Sequence, residues 1–346
     1  MITYLATAAL LSLPAWLQLP LEQPNLHDAP YLEQREFSSP ITGERFVADV
    51  LKQAVPAASY DYDRCPHPAL NTLAYTLVID PATGYVADPA SFEQPVEWDS
   101  DDMSSILGEP RFERNYPEGL PWANAYPWEK FENAAKLAEA AKRSSMDVAN
   151  FWLLAAWSVR LDVISGHNEF DTEVASIFSR LPRRGPDPKQ LNTLYELQLA
   201  AYWEELRTGG QLPDLSDADF SLALAWLYRS RGELLAAQSW LNRATLGEGE
   251  LAADGTLYQY LMTSIELERY YLGITRDWLL RAYNAAELPA AQEAGSEYML
   301  GEIYRRMGDF AAAKHWYGQA SANNLGALSS DMISHQLALV ESGRGY

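Results

Sequence analysis

Cys65-Pro66-His67 places a thiol and an imidazole two residues apart across a proline. Such a pair can ligate a soft or borderline cation, or set a thiol beside a base. The proline splays the two side chains unless the loop bends sharply, and no second Cys/His pair is close in sequence, so a structural loop fits the same residues. Gly166-His167-Asn168-Glu169-Phe170-Asp171 sets one imidazole among carboxylates. That is the composition of an acid/base cluster, and equally of a capped helix start. Asp99, Asp101 and Asp102 offer oxygens to a cation, but the Gly and Glu spacing of an EF-hand loop is missing, so a solvated acidic turn is the reading. Arg160, Arg305 and Arg306 fall on helical segments, where a guanidinium in a groove can bind a partner's carboxylate. Solvation, or pairing with the chain's own Glu and Asp residues, is the competing role. No GxSxG elbow, P-loop, HExxH or GxGxxG in a strand-turn-helix context occurs, so no residue is assigned a catalytic role and no cofactor is expected.

Composition narrows the function classes. The formal net charge of -21 repels nucleic acid and anionic lipid. The densest basic run, Arg180, Arg183, Arg184 and Lys189, is short and flanked by prolines, so no nucleic-acid partner is expected. A single cysteine excludes an intrachain disulfide and any multi-thiolate site within one chain. The 11 Trp and 20 Tyr residues in 346 suit the packing between helical hairpins.

The elements that must hold these residues divide the chain. Residues 1–22 carry no charge before Glu22 and read as an export or anchoring leader, although a basic n-region is missing. A segment packed on the body, or a misassigned start, is the other reading. The protein is accordingly periplasmic or envelope-associated if the leader acts, and cytoplasmic otherwise. Residues 23–36 read as a linker. Residues 37–98 form a small β-rich module, with strands at Tyr60–Asp63 and Leu73–Ile79. Residues 99–128, with Pro110, Pro117, Pro121 and Pro127 among aromatics, form a connector that straps the module to the helices. Residues 129–346 are helical, with helices at Trp128–Arg143, Ser145–Asp162, Asn168–Leu181 and Leu191–Arg207, and a terminal cap at Met332–Glu341.

Within this helical part, Glu297–Ala320 resembles a tetratricopeptide (TPR) repeat. Leu300, Gly301, Tyr304, Gly308, Phe310, Ala313, Tyr317 and Ala320 take the repeat's positions. Asp217–Ala244 repeats the pattern through Leu224, Ala225, Tyr228, Gly232, Leu234, Ala237, Leu241 and Ala244. The turn glycines Gly232 and Gly308 are slightly more than two repeats of about 34 residues apart. A third hairpin, Leu257–Tyr271 and Thr275–Ala286 with a turn at Gly273, is expected between them. Stacked hairpins of this kind form a curved array.

Ser39-Pro40-Ile41-Thr42-Gly43 and Asp80-Pro81-Ala82-Thr83-Gly84 share the form X-Pro-X-Thr-Gly, as do the two turns of a zinc ribbon. With Asp61-Tyr62-Asp63-Arg64-Cys65-Pro66, Asn71-Thr72-Leu73-Ala74-Tyr75, Ala156-Trp157-Ser158-Val159-Arg160 and Leu300–Gly308, they resemble the bacterial family called domain of unknown function 2225. The resemblance runs from about Phe37 onward. It implies a two-knuckle N-terminal module followed by TPR-like helices. Ser39, Thr42, Asp80 and Thr83 stand where the family has its four knuckle cysteines, so the implied module has lost its zinc. The expectation is therefore a mainly α protein, a TPR-like hairpin array preceded by a metal-free, zinc-ribbon-like β module. Its expected function is non-enzymatic docking of a protein or peptide in a helical groove. The alternative is an enzyme or metal-binding protein with a site between module and helices, around Cys65 and His67.

Overall fold

The computed structural model describes residues 31–68, 71–111, 117–164, 171–182, 193–212, 215–244, 255–323 and 328–343. The leader assigned to residues 1–22 lies outside them. Among the described residues no helix is long and apolar enough to cross a membrane.

The N-terminal module is three antiparallel two-stranded ladders. Strand β1 (Leu32–Ser38) pairs with β2 (Arg45–Leu51), β3 (Ala57–Tyr60) with β4 (Pro66–Pro68), and β5 (Val78–Ile79) with β6 (Val86–Ala87). Leu32 lies opposite Leu51, so β1 begins inside the stretch read as linker 23–36. Ladders this small cannot stand alone in water. Phe37, Phe46 and Phe92 close the module's core with ring centroids 5.5–6.1 Å apart. Two predicted strands are shorter than expected. Asn71 is followed by a 3-10 turn (Thr72–Tyr75), closed by Thr76 Oγ1 donating to the Thr72 carbonyl, so only Val78–Ile79 of Leu73–Ile79 is extended. The Tyr60–Asp63 stretch leaves β3 at Tyr60 because the chain reverses there. The Asp61 amide donates to the Cys65 carbonyl at 3.0 Å, and Arg64 takes a left-handed φ of 66°.

The rest is mainly α-helical: α1 (Ser100–Leu107), α2 (Pro127–Ala140), α3 (Ser145–Ile164), α4 (Asp171–Arg180), α5 (Thr193–Thr208), α6 (Asp217–Ser230), α7 (Leu234–Leu241), α8 (Thr256–Asn284), α9 (Ala290–Met307), α10 (Phe310–Ala322) and α11 (Ser330–Glu341). Asp99 caps α1, accepting from the Asp101 and Asp102 amides while Asp102 reaches back to the Asp99 amide. The acidic turn is thus a helix start that neutralises orphan donors. In the stretch read as connector, Trp122 lies on the module: it is buried, donates from its amide to the Pro81 carbonyl, and lies on Gly84.

Helices α6/α7 and α9/α10 are the two antiparallel hairpins that the sequence marks, each turning at a glycine with positive φ. The third hairpin is absent. Helix α8 runs straight through Gly273 for 29 residues. One interior glycine costs only about 1 kcal/mol, whereas the buried stripe Leu261, Ile265, Glu268, Leu272, Thr275 and Leu279 continues across it. That stripe packs antiparallel on α3, with the Ser145 amide donating to Glu287 at one end and Tyr260 to Asp162 at the other. Helix α3 is apolar all round and buried throughout Val148–Leu161, so it is a core helix and not one layer of a surface stack. Nearest-neighbour stacking describes α9 to α11, but α3 and α8 pair across the intervening helices.

Candidate functional site

The β3–β4 turn, Asp61 to Cys65, enters the helices and carries two buried carboxylates. In this turn Asp61 and Asp63 are buried and Tyr62 is half-buried. Arg160, near the end of α3, meets both. Its Nη1 donates to Asp61 Oδ2 at 2.8 Å and to Asp63 Oδ1 at 2.9 Å, and its Nη2 to Asp63 Oδ2 at 2.8 Å. The same guanidinium reaches Glu268 of α8, with Nη2 at 2.5 Å from Oε1. Arg229 of α6 takes the other Glu268 oxygen at 2.5 Å and the Ser264 hydroxyl at 2.9 Å. Trp157 Nε1 donates to Asp63 Oδ2 at 3.2 Å.

The charge continues into the C-terminal hairpin. Arg305 holds Glu233 through two bonds of 2.6 and 3.0 Å and Glu302 at 3.0 Å. Arg306 donates to the Gly232 carbonyl at 2.6 Å and lies 3.3 Å from Asp63 Oδ1. Tyr317 donates to Glu302 at 2.7 Å, and Tyr298 to the Tyr62 carbonyl at 3.0 Å. His67 closes the other flank: Nδ1 faces Arg231 Nη1 at 3.0 Å, and Nε2 lies 2.8 Å from Asp61 Oδ2. Arginine only donates, so Nδ1 accepts and the ring proton sits on Nε2. That Nε2–Asp61 contact lowers the Asp61 carboxyl pKa.

The cluster joins five carboxylates (Asp61, Asp63, Glu233, Glu268, Glu302) to five guanidiniums (Arg160, Arg229, Arg231, Arg305, Arg306). All but Arg231 are buried. Burial alone would raise the carboxyls of Asp61 and Asp63, but their partners win. His67, Arg160 and Arg231 hold Asp61 well below the usual range, and Arg160 with Arg306 brings Asp63 down to about 2. Burial disfavours the Arg160 cation, yet Asp63 and Glu268 outweigh it and hold its proton more tightly than usual. Burial pushes the Cys65 thiol well up, which makes it a poor thiolate.

Arg160, Arg305 and Arg306 are therefore not groove residues. They are at most 1% exposed and engaged by internal carboxylates, so no partner's carboxylate reaches them. Of the predicted alternative site, Asp61, Cys65 and His67 do come together, with ligand atoms within 4.8 Å of one another. The donor set does not suit a divalent ion. Asp61 is already held by Arg160 at 2.8 Å, the His67 proton faces Asp61, and the thiol resists ionisation. A cation there would enter beside two guanidiniums. His167 and Glu169 lie outside the described residues, as do Arg183, Arg184, Lys189 and the Asp171 side chain.

The two knuckle turns match bond for bond. The Ser39 amide donates to the Glu44 carbonyl and the Asp80 amide to Tyr85, both at 2.8 Å. Gly43 donates to Ser39 at 3.0 Å, and Gly84 to Asp80 at 2.9 Å. The φ values of Gly43 and Gly84 are 75° and 77°. Between the turns, Ser39 Oγ donates to Asp80 Oδ2 at 2.5 Å and Thr83 Oγ1 to the same oxygen at 2.7 Å. Three of the four degenerate ligand positions thus converge on one another, while Thr42 is exposed and caps the Glu44 amide. A carboxylate bonded to two hydroxyls does not suit zinc.

Sequence reasoning missed Glu233, Glu268, Glu302 and Arg229. Arg229 had a signal: it ends the run Leu222–Tyr228, where a charge at a buried helical position needs a partner. No family model matches the chain, and neither a curated protein nor a solved structure matches it.

Proposed function

We propose that this chain is a non-enzymatic interaction protein, in which TPR-like hairpins present a surface to a protein or peptide and a metal-free knuckle module is held rigidly against them. We also propose that it is a divergent relative of domain of unknown function 2225, a reading supported by the paired knuckle turns and the hairpins α6/α7 and α9/α10. The observation that carries the functional reading is the charge balance of the buried cluster. Its groups are consumed by one another, which is how a structural clasp is built and leaves no activated nucleophile or base for catalysis. With the cluster's arginines sequestered, a chain of net charge -21 selects cationic partners. Panning the full chain against a random peptide library tests this. Basic peptides that bind saturably, compete with one another and weaken with salt support it. Enrichment of acidic peptides, or of none, contradicts it.

The alternative, a metal or catalytic site around Cys65 and His67, draws support from their approach to Asp61. Retention of one equivalent of zinc, lost in Cys65→Ser, would establish it over the clasp.

A further inference from the structure

Away from the ionic cluster, a cavity of about 180 Å³ opens between the β module and the first helices. Its walls are apolar: Leu77 and Val86 from the module, Ala134 and Ala138 from α2, and Phe151 from α3. The space exists because α2 presents Ala134 and Ala138 along one face and ends in the capping residue Ala141, where larger residues would fill it. Ala134 and Ala138 are buried, whereas Ala141 is exposed, so the cavity runs from the core to a mouth at the end of α2. Among the described residues the only charged lining residue is Arg143, just past that end. Its Nη2 lies 3.3 Å from Asp147.

We propose that this cavity binds a small amphipathic carboxylate, its hydrocarbon body among the alanines and its carboxylate at Arg143. Three observations set the ligand class. An apolar cavity of about 150 Å³ holds benzene, so this one takes a body of roughly six to eight carbons. Apart from Arg143, the described lining residues are uncharged aliphatic and aromatic side chains, which suit a hydrocarbon body. Arg143, which lines the cavity just past α2, supplies a cation for a terminal anion. Asp147 competes for the Arg143 guanidinium, and it weakens binding without abolishing it.

The test is calorimetric titration of the full chain with straight-chain carboxylates of four to twelve carbons and with the matching alcohols. Affinity rises about fourfold per methylene, from the roughly 0.8 kcal/mol of each buried CH₂, and levels off near eight carbons. The acid binds about tenfold tighter than the alcohol. Arg143→Met removes that preference, and Asp147→Asn strengthens it. Ala138→Leu fills the chamber and abolishes binding. Because Ala138 is in the core, Ala141→Leu at the exposed mouth is the second variant, expected to weaken long acids most. Absence of saturable octanoate binding overturns the proposal. So does an acid preference that survives Arg143→Met, or affinity that still climbs beyond ten carbons, which would mean adsorption on an open surface.

Discussion

At Gly232 the demands of backbone and space coincide. Its φ is 69°, and a Cβ built there would overlap Arg306 Nη1 and Arg160 Cζ. The equivalent turn residue of the other hairpin, Gly308, has a φ of 87° but only ordinary contact, 3.5 Å from Leu235. Gly308→Ala therefore incurs left-handed strain alone, about 1–2 kcal/mol, while Gly232→Ala also dislodges two guanidiniums and costs at least about 3 kcal/mol. Urea unfolding of the pair checks this, and equal losses would mean that the cluster is not packed on that turn. Asp61 and Asp63 set the pH dependence. Their folded pKa values lie below the unfolded value of about 3.9. Their contribution is thus complete above the unfolded value and lost as pH falls through the folded ones. Stability should drop between about pH 4 and 2, and Asp63→Asn should flatten that fall while lowering the plateau at neutral pH. A profile unchanged in the variant would show that Asp63 does not titrate as a paired group.

Among the elements, the knuckle pair and helix α8 show what local pattern conveys and what it cannot. The X-Pro-X-Thr-Gly turns were legible because Thr-Gly after proline dictates the bond pattern within five residues. Their convergence on Asp80 was not, since it joins residues 41 apart. Asp80→Ala should cost about 2–3 kcal/mol, because it strands the Ser39 and Thr83 hydroxyls and the Ala82 amide together. Thermal unfolding reads this, and a loss under about 0.5 kcal/mol would leave the turns independent. Because the turns match in their bonds, replacing Ser39, Thr42, Asp80 and Thr83 together by Cys should create a site for one zinc ion, seen as a cobalt thiolate spectrum. Failure to bind would mean that the turns are not spaced as a zinc ribbon. Gly273 misled in the opposite sense. A glycine between two helical stretches signals a turn, but the buried stripe of α8 outweighs its modest cost.

Across the molecule, the hairpins were readable and the pairing of α3 with α8 was not, because local periodicity reports which face is buried but not against which partner. Pairing of the arginines with the chain's own carboxylates was foreseeable, but which carboxylates was not, for the same reason. Arg160, Arg229 and Arg306 look like ordinary helix cations until tertiary structure sets Asp63 and Glu268 beside them. The cluster's consequence is mechanical: the β3–β4 turn is tied directly to α3 and α9, and through Arg160 to α8, so module and helices should unfold together. A double-mutant cycle between Asp63→Asn and Arg160→Met, followed by urea denaturation with separate probes of strands and helices, tests the clasp most directly. A clasp predicts one shared transition in the parent chain, single-variant losses of about 3–5 kcal/mol, and a coupling energy of about 2 kcal/mol or more. Two separate transitions in the parent, with additive losses below about 1 kcal/mol, would contradict it.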